Sequence, residues 1–397
     1  MFGPYHLHSS LSRCGMMWDN FKPMICSTRL GFSTRLLGYR RNLSTACMDD
    51  VLFEVKNDVG IVTLNRPKAL NALNTSMVVK IKPKLKEYES LVRMVIIQGA
   101  GGKAFCAGGD VKSITENGPG AKSLELGTNF FQHEYSVDSM IGKSKIPYVS
   151  LIDGITMGGG VGISVHGKYR VATERTLFAM PETAIGLFCD VGGSHFLSRM
   201  DKHLGVMLGL TGCRLKGSDV AKAGIATHYV HSSKIDGLRA KLIEDVRDPG
   251  TVLAENTDDL DAVEFTMAPF VEKIDSIFSH ERVEAIVDAL RTDGSEWALG
   301  ILKTLSEVSP TGLKITRKEI LKGKNLSLDE CLLMEHRLAY RSTEAKYSTD
   351  FYEGVRALLI DKDRNPKWCP ASLEEVKDEI IDKYFEPLSN DKELQLS

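Results

Sequence analysis

Two glycine-rich turns carry the first chemical signal in this 397-residue chain: Phe105-Cys106-Ala107-Gly108-Gly109-Asp110 and Met157-Gly158-Gly159-Gly160-Val161-Gly162. Each follows an apolar, strand-like run and precedes a helix-like stretch. Small residues at such a turn let backbone N–H groups come close to a ligand. Two turns aimed at one oxygen make an oxyanion hole, which stabilises the negative charge that develops on a carbonyl oxygen under attack. The chemistry implied is therefore that of an activated carbonyl.

Such turns need a scaffold that gathers strand ends, and the pattern from residue 49 onward supplies one. Runs 51–55 and 60–64 read as two strands joined at Asn57-Asp58. Asn65-Arg66-Pro67 breaks the second, and Asn74-Thr75-Ser76 caps a helix reaching residue 89. A β-rich run at 93–98 ends in Gly99-Ala100-Gly101-Gly102, and a helix follows at 121–141. Then come a buried strand at 148–152, the second glycine turn with its helix, and short strands at 169–172 and 177–178. Strand signals thin out after Ser198. From Asp258 the period is helical, at 281–290, 297–307, 311–321, 328–340 and 350–360. The expectation is an α/β body at 48–250 and a helical C-terminal region at 251–397.

The N-terminus is different. Residues 1–47 carry Arg13, Lys22, Arg29, Arg35, Arg40 and Arg41 against the single acid Asp19, are rich in Ser and Thr, and sustain no period. That composition is the signature of an organelle transit peptide, the plainer alternative being a disordered basic tail. Without it the chain holds 44 basic and 51 acidic residues, a net charge of −7, which argues against sequence-independent nucleic-acid binding. No uninterrupted apolar stretch is long enough to span a bilayer, so no membrane partner is expected. The cysteines Cys14, Cys26, Cys47, Cys106, Cys189, Cys213, Cys331 and Cys369 include no C-x-x-C pair. They suggest neither a zinc ribbon nor a redox motif and fit a reducing compartment such as the mitochondrial matrix. The sequence leaves the oligomeric state open, a homo-oligomer included.

Asn65-Arg66-Pro67-Lys68-Ala69-Leu70-Asn71-Ala72-Leu73, then Ala104 to Asp110, then Gly158-Gly159-Gly160, resemble in that order the enoyl-CoA hydratase/isomerase, or crotonase, superfamily. The resemblance implies an α/β fold built as a crotonase (ClpP-like) spiral of β-β-α units, acyl-CoA thioester substrates and a two-amide oxyanion hole. By position, the amides are those of Gly109 and Gly159. Lys68, Ala69 and Leu70 would line CoA, which is part of the substrate; no separate cofactor and no metal is expected. Longer blocks are similar to the hydrolase branch of the superfamily that acts on 3-hydroxyisobutyryl-CoA, its plant mitochondrial members nearest in pattern. These are residues 154–167, residues 178–188 and residues 353–368, and the likeness spans 50 to 380. At Cys189 that branch usually has proline. The change leaves Asp190 in place and is expected to loosen its loop.

The same resemblance sharpens the chemistry. Hydratases of the superfamily place water across a double bond with two glutamates. Here the first of those positions is Gly162 and the second is Glu182. A glycine cannot hold or activate water, so hydration loses half its apparatus. Thioester hydrolysis needs less: an oxyanion hole and one carboxylate, acting as base toward water or as nucleophile through a mixed anhydride. Glu182 is the candidate. Asp190 would bind the substrate's 3-hydroxyl or raise the pKa of Glu182, and Glu134 matches a substrate-contacting position. Outside these motifs each has an ordinary reading: a solvated first-turn Glu, a turn Asp, an exposed helix Glu. Cys106 reads as a buried structural residue, and His166 and His195 as structural or surface residues. Lys314, Arg317, Lys318, Lys322 and Lys324 read as a solvated helix face, with a CoA phosphate contact as the alternative. The expected activity is 3-hydroxyisobutyryl-CoA hydrolysis in valine breakdown. The rival readings are an enoyl-CoA isomerase using a single glutamate and a non-catalytic subunit of an organellar assembly.

Overall fold

Apolar runs with few polar interruptions form central strands, because a parallel sheet is covered on both faces. The computed structural model describes residues 49–396, so the leader expected at 1–47 and its three cysteines lie outside the described residues. The strands are β1 (Val51–Lys56), β2 (Val59–Leu64), β3 (Met94–Gly99), β4 (Ala104–Cys106), β5 (Tyr148–Ile152) and β6 (Ile155–Met157). They continue with β7 (Tyr169–Ala172), β8 (Leu177–Ala179), β9 (Leu215–Lys216) and β10 (His228–Tyr229). One sheet has the order β1-β2-β3-β5-β7-β10 and the other β4-β6-β8-β9. Among the described residues β1 with β2 and β8 with β9 pair antiparallel, and the other pairs are parallel. β2 and β5 are buried along their whole lengths.

The helices that position the site are α1 (Thr75–Leu91), α2 (Ala121–Gly142), α3 (Gly159–Val165), α4 (Gly193–Leu197), α5 (Pro310–Gly323) and α6 (Leu328–Glu344). Asn74 caps α1 as expected, its side chain accepting from Met77 N at 2.9 Å. Ser327 and Glu330 close a capping box on α6. Helix α6 runs antiparallel along α2. A Cβ on Gly127 would lie 2.7 Å from Thr343, while at the other end Gly142 abuts Leu328. Only glycine lets the two axes come so close.

One large apolar cluster runs from β2 and α1 into the C-terminal helices through Leu313, Ile320, Leu332 and Leu338. Burying a side chain such as Leu338 is worth about 1.5–3 kcal/mol. A smaller cluster covers the opposite face of the first sheet with Leu238, Leu242 and Val252.

Two expectations are corrected. The 350–360 run is not one α-helix: Asp350–Val355 gives way to a π-turn at Arg356–Ile360, with Asp361 N donating to Arg356 O at 2.8 Å. The turn lets Arg356 reach both Asp361 and Asp363 at 2.7 Å. The basic cluster on α5 is not uniformly a solvated face. Lys314 is buried against Glu284 and Asp378, Arg317 donates to His280 O, and Lys318 pairs with Asp382.

Candidate active site

The two glycine turns meet because β4 and β6 are parallel neighbours, with Ala104 opposite Ile155 and Cys106 opposite Thr156. Both turns therefore leave the same end of one sheet. A Cβ on Gly160 would run into the Cys106 backbone, so glycine is required there by close approach. Gly108 (φ +112°) and Gly158 (φ +45°) hold left-handed conformations. The Gly109 nitrogen lies 3.3 Å from the point where a Gly159 Cβ would sit. Flanking amides are spent, Ala107 N on Leu70 O and Asp110 N on Leu73 O. The Gly159 amide opens α3, among the first-turn donors that a helix leaves unpaired.

Arg66 and Asn71 explain the first sequence block. Arg66 donates to Ala72 O at 2.6 Å and to Asp110 at 2.9 Å, while Asn71 Nδ2 donates to Ala100 O and Ala104 O. They lock the Lys68-Ala69-Leu70 segment beside the first glycine turn. Lys68 and Ala69 are exposed there and Leu70 is half-buried.

Three carboxylates converge on the second turn. Glu182, in a short 3-10 turn (Glu182–Ile185), brings Oε1 within 2.8 Å of where a Gly158 Cβ would be. Glu134 of α2 brings its Oε1 against the corresponding point on Gly159. Asp190 stands nearby, held by the Tyr135 hydroxyl at 2.9 Å. Glu134 is 1% exposed, and Glu182 and Asp190 are each 5% exposed. Burial pushes the carboxyls of Glu134 and Glu182 well above their ordinary value, and the charge of Asp190 pushes them further. Asp190 itself rises to about 7 through burial, against the pull of Tyr135. Among the described residues no group of His, Cys, Asp and Glu is arranged to hold a metal ion.

The structure brings Glu134, Glu182, Asp190, Gly109 and Gly159 together. It adds residues that the sequence reading missed. Tyr135 and Asp138 share α2 with Glu134, and the Glu134–Asp138 spacing of one helical turn was a signal that could have found the second carboxylate. Asp138 is fully buried, and among the described residues neither of its oxygens has a hydrogen-bond partner. Its Oδ2 lies 2.9 Å from where a Gly162 Cβ would be, and Val191 Cβ lies 2.6 Å from the same point. Glu335 of α6 gave no local signal at all.

The loop that carries Asp190 is tight rather than loose. Cys189 is fully buried, its N–H donates to Thr316 Oγ1 at 3.3 Å, and its thiol faces Glu182 Oε2 at 3.7 Å. A proline there would lack that N–H. Val191 has φ +56°, an outlier for a β-branched residue that costs on the order of 1–3 kcal/mol. His166 is structural: burial lowers its pKa to about 4, and its neutral ring donates through Nε2 to Val191 O at 2.8 Å. Burial pushes the Cys106 thiol up to about 12, which suits packing and not nucleophilic attack.

Residues 59–385 match the model of the enoyl-CoA hydratase/isomerase family. Relatives named "3-hydroxyisobutyryl-CoA hydrolase, mitochondrial" include one from Xenopus tropicalis, 53% identical over 340 residues, covering 83% of this chain and 87% of the relative. Another, from Homo sapiens, is 47% identical over 369 residues, covering 90% and 94%. Among solved structures, a carnitinyl-CoA dehydratase from Mycobacterium thermoresistibile superposes with TM-score 0.80 at 36% identity, covering 87% of this chain and 98% of that one. An enoyl-CoA hydratase from Rhodobacter sphaeroides 2.4.1 gives TM-score 0.79 at 35% identity, covering 88% and 100%.

Proposed function

The chain belongs to the enoyl-CoA hydratase/isomerase family, and from that premise we propose that it hydrolyses 3-hydroxyisobutyryl-CoA to 3-hydroxyisobutyrate and CoA. One observation carries the choice of hydrolysis over hydration. The place from which a hydratase's first glutamate would project is Gly162, and the space above it is filled by Val191 and Asp138. With no glutamate at that position, Glu182 is the carboxylate assigned to activate water or attack the carbonyl, and Glu134 and Asp190 beside it are left for the acyl end. The naming of the curated relatives supports the same substrate and a mitochondrial address, and the Arg-rich first 47 residues support the address independently. The reaction then belongs to valine breakdown in the matrix.

In this reading the thioester oxygen accepts hydrogen bonds from the Gly109 and Gly159 amides, which are already in place when charge develops on it. Glu182, ionised, takes a proton from water as the water oxygen bonds to the carbonyl carbon. Collapse of the tetrahedral intermediate breaks the C–S bond, and the CoA thiolate leaves and takes up a proton. In the covalent variant Glu182 attacks first, CoA leaves, and water cleaves the mixed anhydride. Both routes start from the same ionised carboxylate. Asp190 and Glu134 face the polar acyl end, where the 3-hydroxyl can donate to Asp190. Lys68, Ala69 and Leu70 flank the first turn, where the pantetheine arm would run.

The test is free-thiol release from (S)-3-hydroxyisobutyryl-CoA, with crotonyl-CoA absorbance followed in parallel. Glu182→Gln should lower kcat by about 10²–10⁴-fold while the protein stays folded. Loss of crotonyl-CoA absorbance without thiol release from either substrate would overturn the reading.

A further inference from the structure

A buried carboxylate outside the reacting group clamps the loop that aims Asp190. Glu335, on α6, is fully buried. Its Oε2 accepts from Gly192 N at 2.6 Å, and its Oε1 accepts from Ser194 N at 3.0 Å and Ser194 Oγ at 2.5 Å. Those donors lie immediately after Val191, the β-branched residue at φ +56°. Gly192 continues the left-handed course at φ +77°. A free chain would relax Val191 toward negative φ, which would swing the carboxylate of Asp190 away from the Tyr135 hydroxyl and from the glycine turns.

The strain is held on three sides. His166, at the C-terminal cap of α3, donates to the Val191 carbonyl at 2.8 Å. Thr316 of α5 accepts from Cys189 N at 3.3 Å. Glu335 holds the amides of Gly192 and Ser194. His166 and Thr316 each make one bond to the loop, whereas Glu335 makes three, with Gly192 N, Ser194 N and Ser194 Oγ. Val191 also needs the empty position at Gly162, since a Cβ there would lie 2.6 Å from its own. The glycine that removes a hydratase carboxylate is thus also the seat of the strained residue.

We propose that Glu335 is a positioning residue: it holds Val191 in its left-handed conformation and thereby fixes Asp190 toward the acyl end of the substrate. The kinetic part of this proposal rests on the hydrolase reading above. The clamp itself does not.

Two measurements separate them. Amide hydrogen exchange of segment 188–197 reads the clamp without any assay of activity. Glu335→Gln keeps the size of the side chain but turns an amino group toward one set of donors. Exchange in that segment should become about 10–100-fold faster, while the buried strand β5 stays protected; unchanged exchange overturns the clamp. The second measurement is a double-mutant cycle on kcat/KM for 3-hydroxyisobutyryl-CoA. Glu335→Gln should lower kcat/KM by about 10–100-fold in the parent protein and by less than about threefold in the Val191→Gly background, where glycine takes a positive φ without help. Equal losses in both backgrounds would show that Glu335 supports the fold generally and would overturn its positioning role. If the parent releases no thiol while the exchange result holds, the functional reading falls and the clamp stands.

Discussion

The glycine turns and the Asp190 loop lie side by side in one site, yet they are built in opposite ways. The turns are fixed by backbone: adjacent parallel strands, glycines where a Cβ has no room, and amides that point where the chain directs them. The loop is fixed by side chains borrowed from elsewhere: Tyr135, Thr316 and Glu335 from three different helices, and His166 from the cap of a fourth. An oxyanion hole needs donors that do not reorganise during reaction, and backbone supplies the most rigid ones. The substrate-reading role proposed for Asp190 needs an exact heading instead, and in the proposed clamp a strained turn held by packed helices gives it.

Gly162 is where the two regions touch, and it gives the largest expected effect. Gly162→Glu adds the carboxylate of a hydratase, but its Cβ falls on Val191 and beside Asp138. Thiol release should drop by at least about 100-fold and crotonyl-CoA hydration should not appear, because the loop must move before the new side chain can fit. A gain of hydration would mean that the loop yields easily and that the contrast drawn above is false.

A smaller effect concerns charge. In the proposed mechanism Glu182 acts in its ionised form, and burial with the neighbouring Asp190 raises its pKa. The kcat/KM profile should therefore rise with pH above the ordinary carboxylate range. Asp190→Asn removes a like charge, so the rising limb should move to lower pH even as the rate falls. A limb that stays in place would show that burial alone sets the titration of Glu182.

The smallest effect is on stability. Asp138 has a raised pKa in the folded protein, burial being the main cause, with the charges of Asp190 and Glu335 adding to it. Such a group contributes stability that is present below its unfolded value of 3.8 and is lost as pH rises through the folded value. Asp138→Asn does not titrate. It should change the unfolding temperature little near pH 4 and raise stability by about 1–3 kcal/mol near pH 8. Thermal melts across that range check it, and a constant difference would contradict it.

Much of this architecture was legible in the sequence. The two glycine turns, the Asn74 cap, the buried strand runs and the helical period after Asp258 are local patterns, set by sterics and by the spacing of apolar residues. Glu134, Glu182 and Asp190 were found only because motifs around them resemble a family; their residue types alone would have read as surface or turn. Tyr135, Asp138, Thr316 and Glu335 were not found, and neither was the tightness of the Cys189 loop. A buried carboxylate on an amphipathic helix looks the same in sequence as an exposed one until its partner is known. The amino-acid sequence by itself determined where the backbone must turn tightly and which residues must be covered, because those depend on neighbours along the chain. Only the tertiary structure decided that α6 lies antiparallel on α2 and so brings Glu335 to Gly192, a contact between residues 143 apart. Such a contact depends on how helices pack, and no local pattern records it.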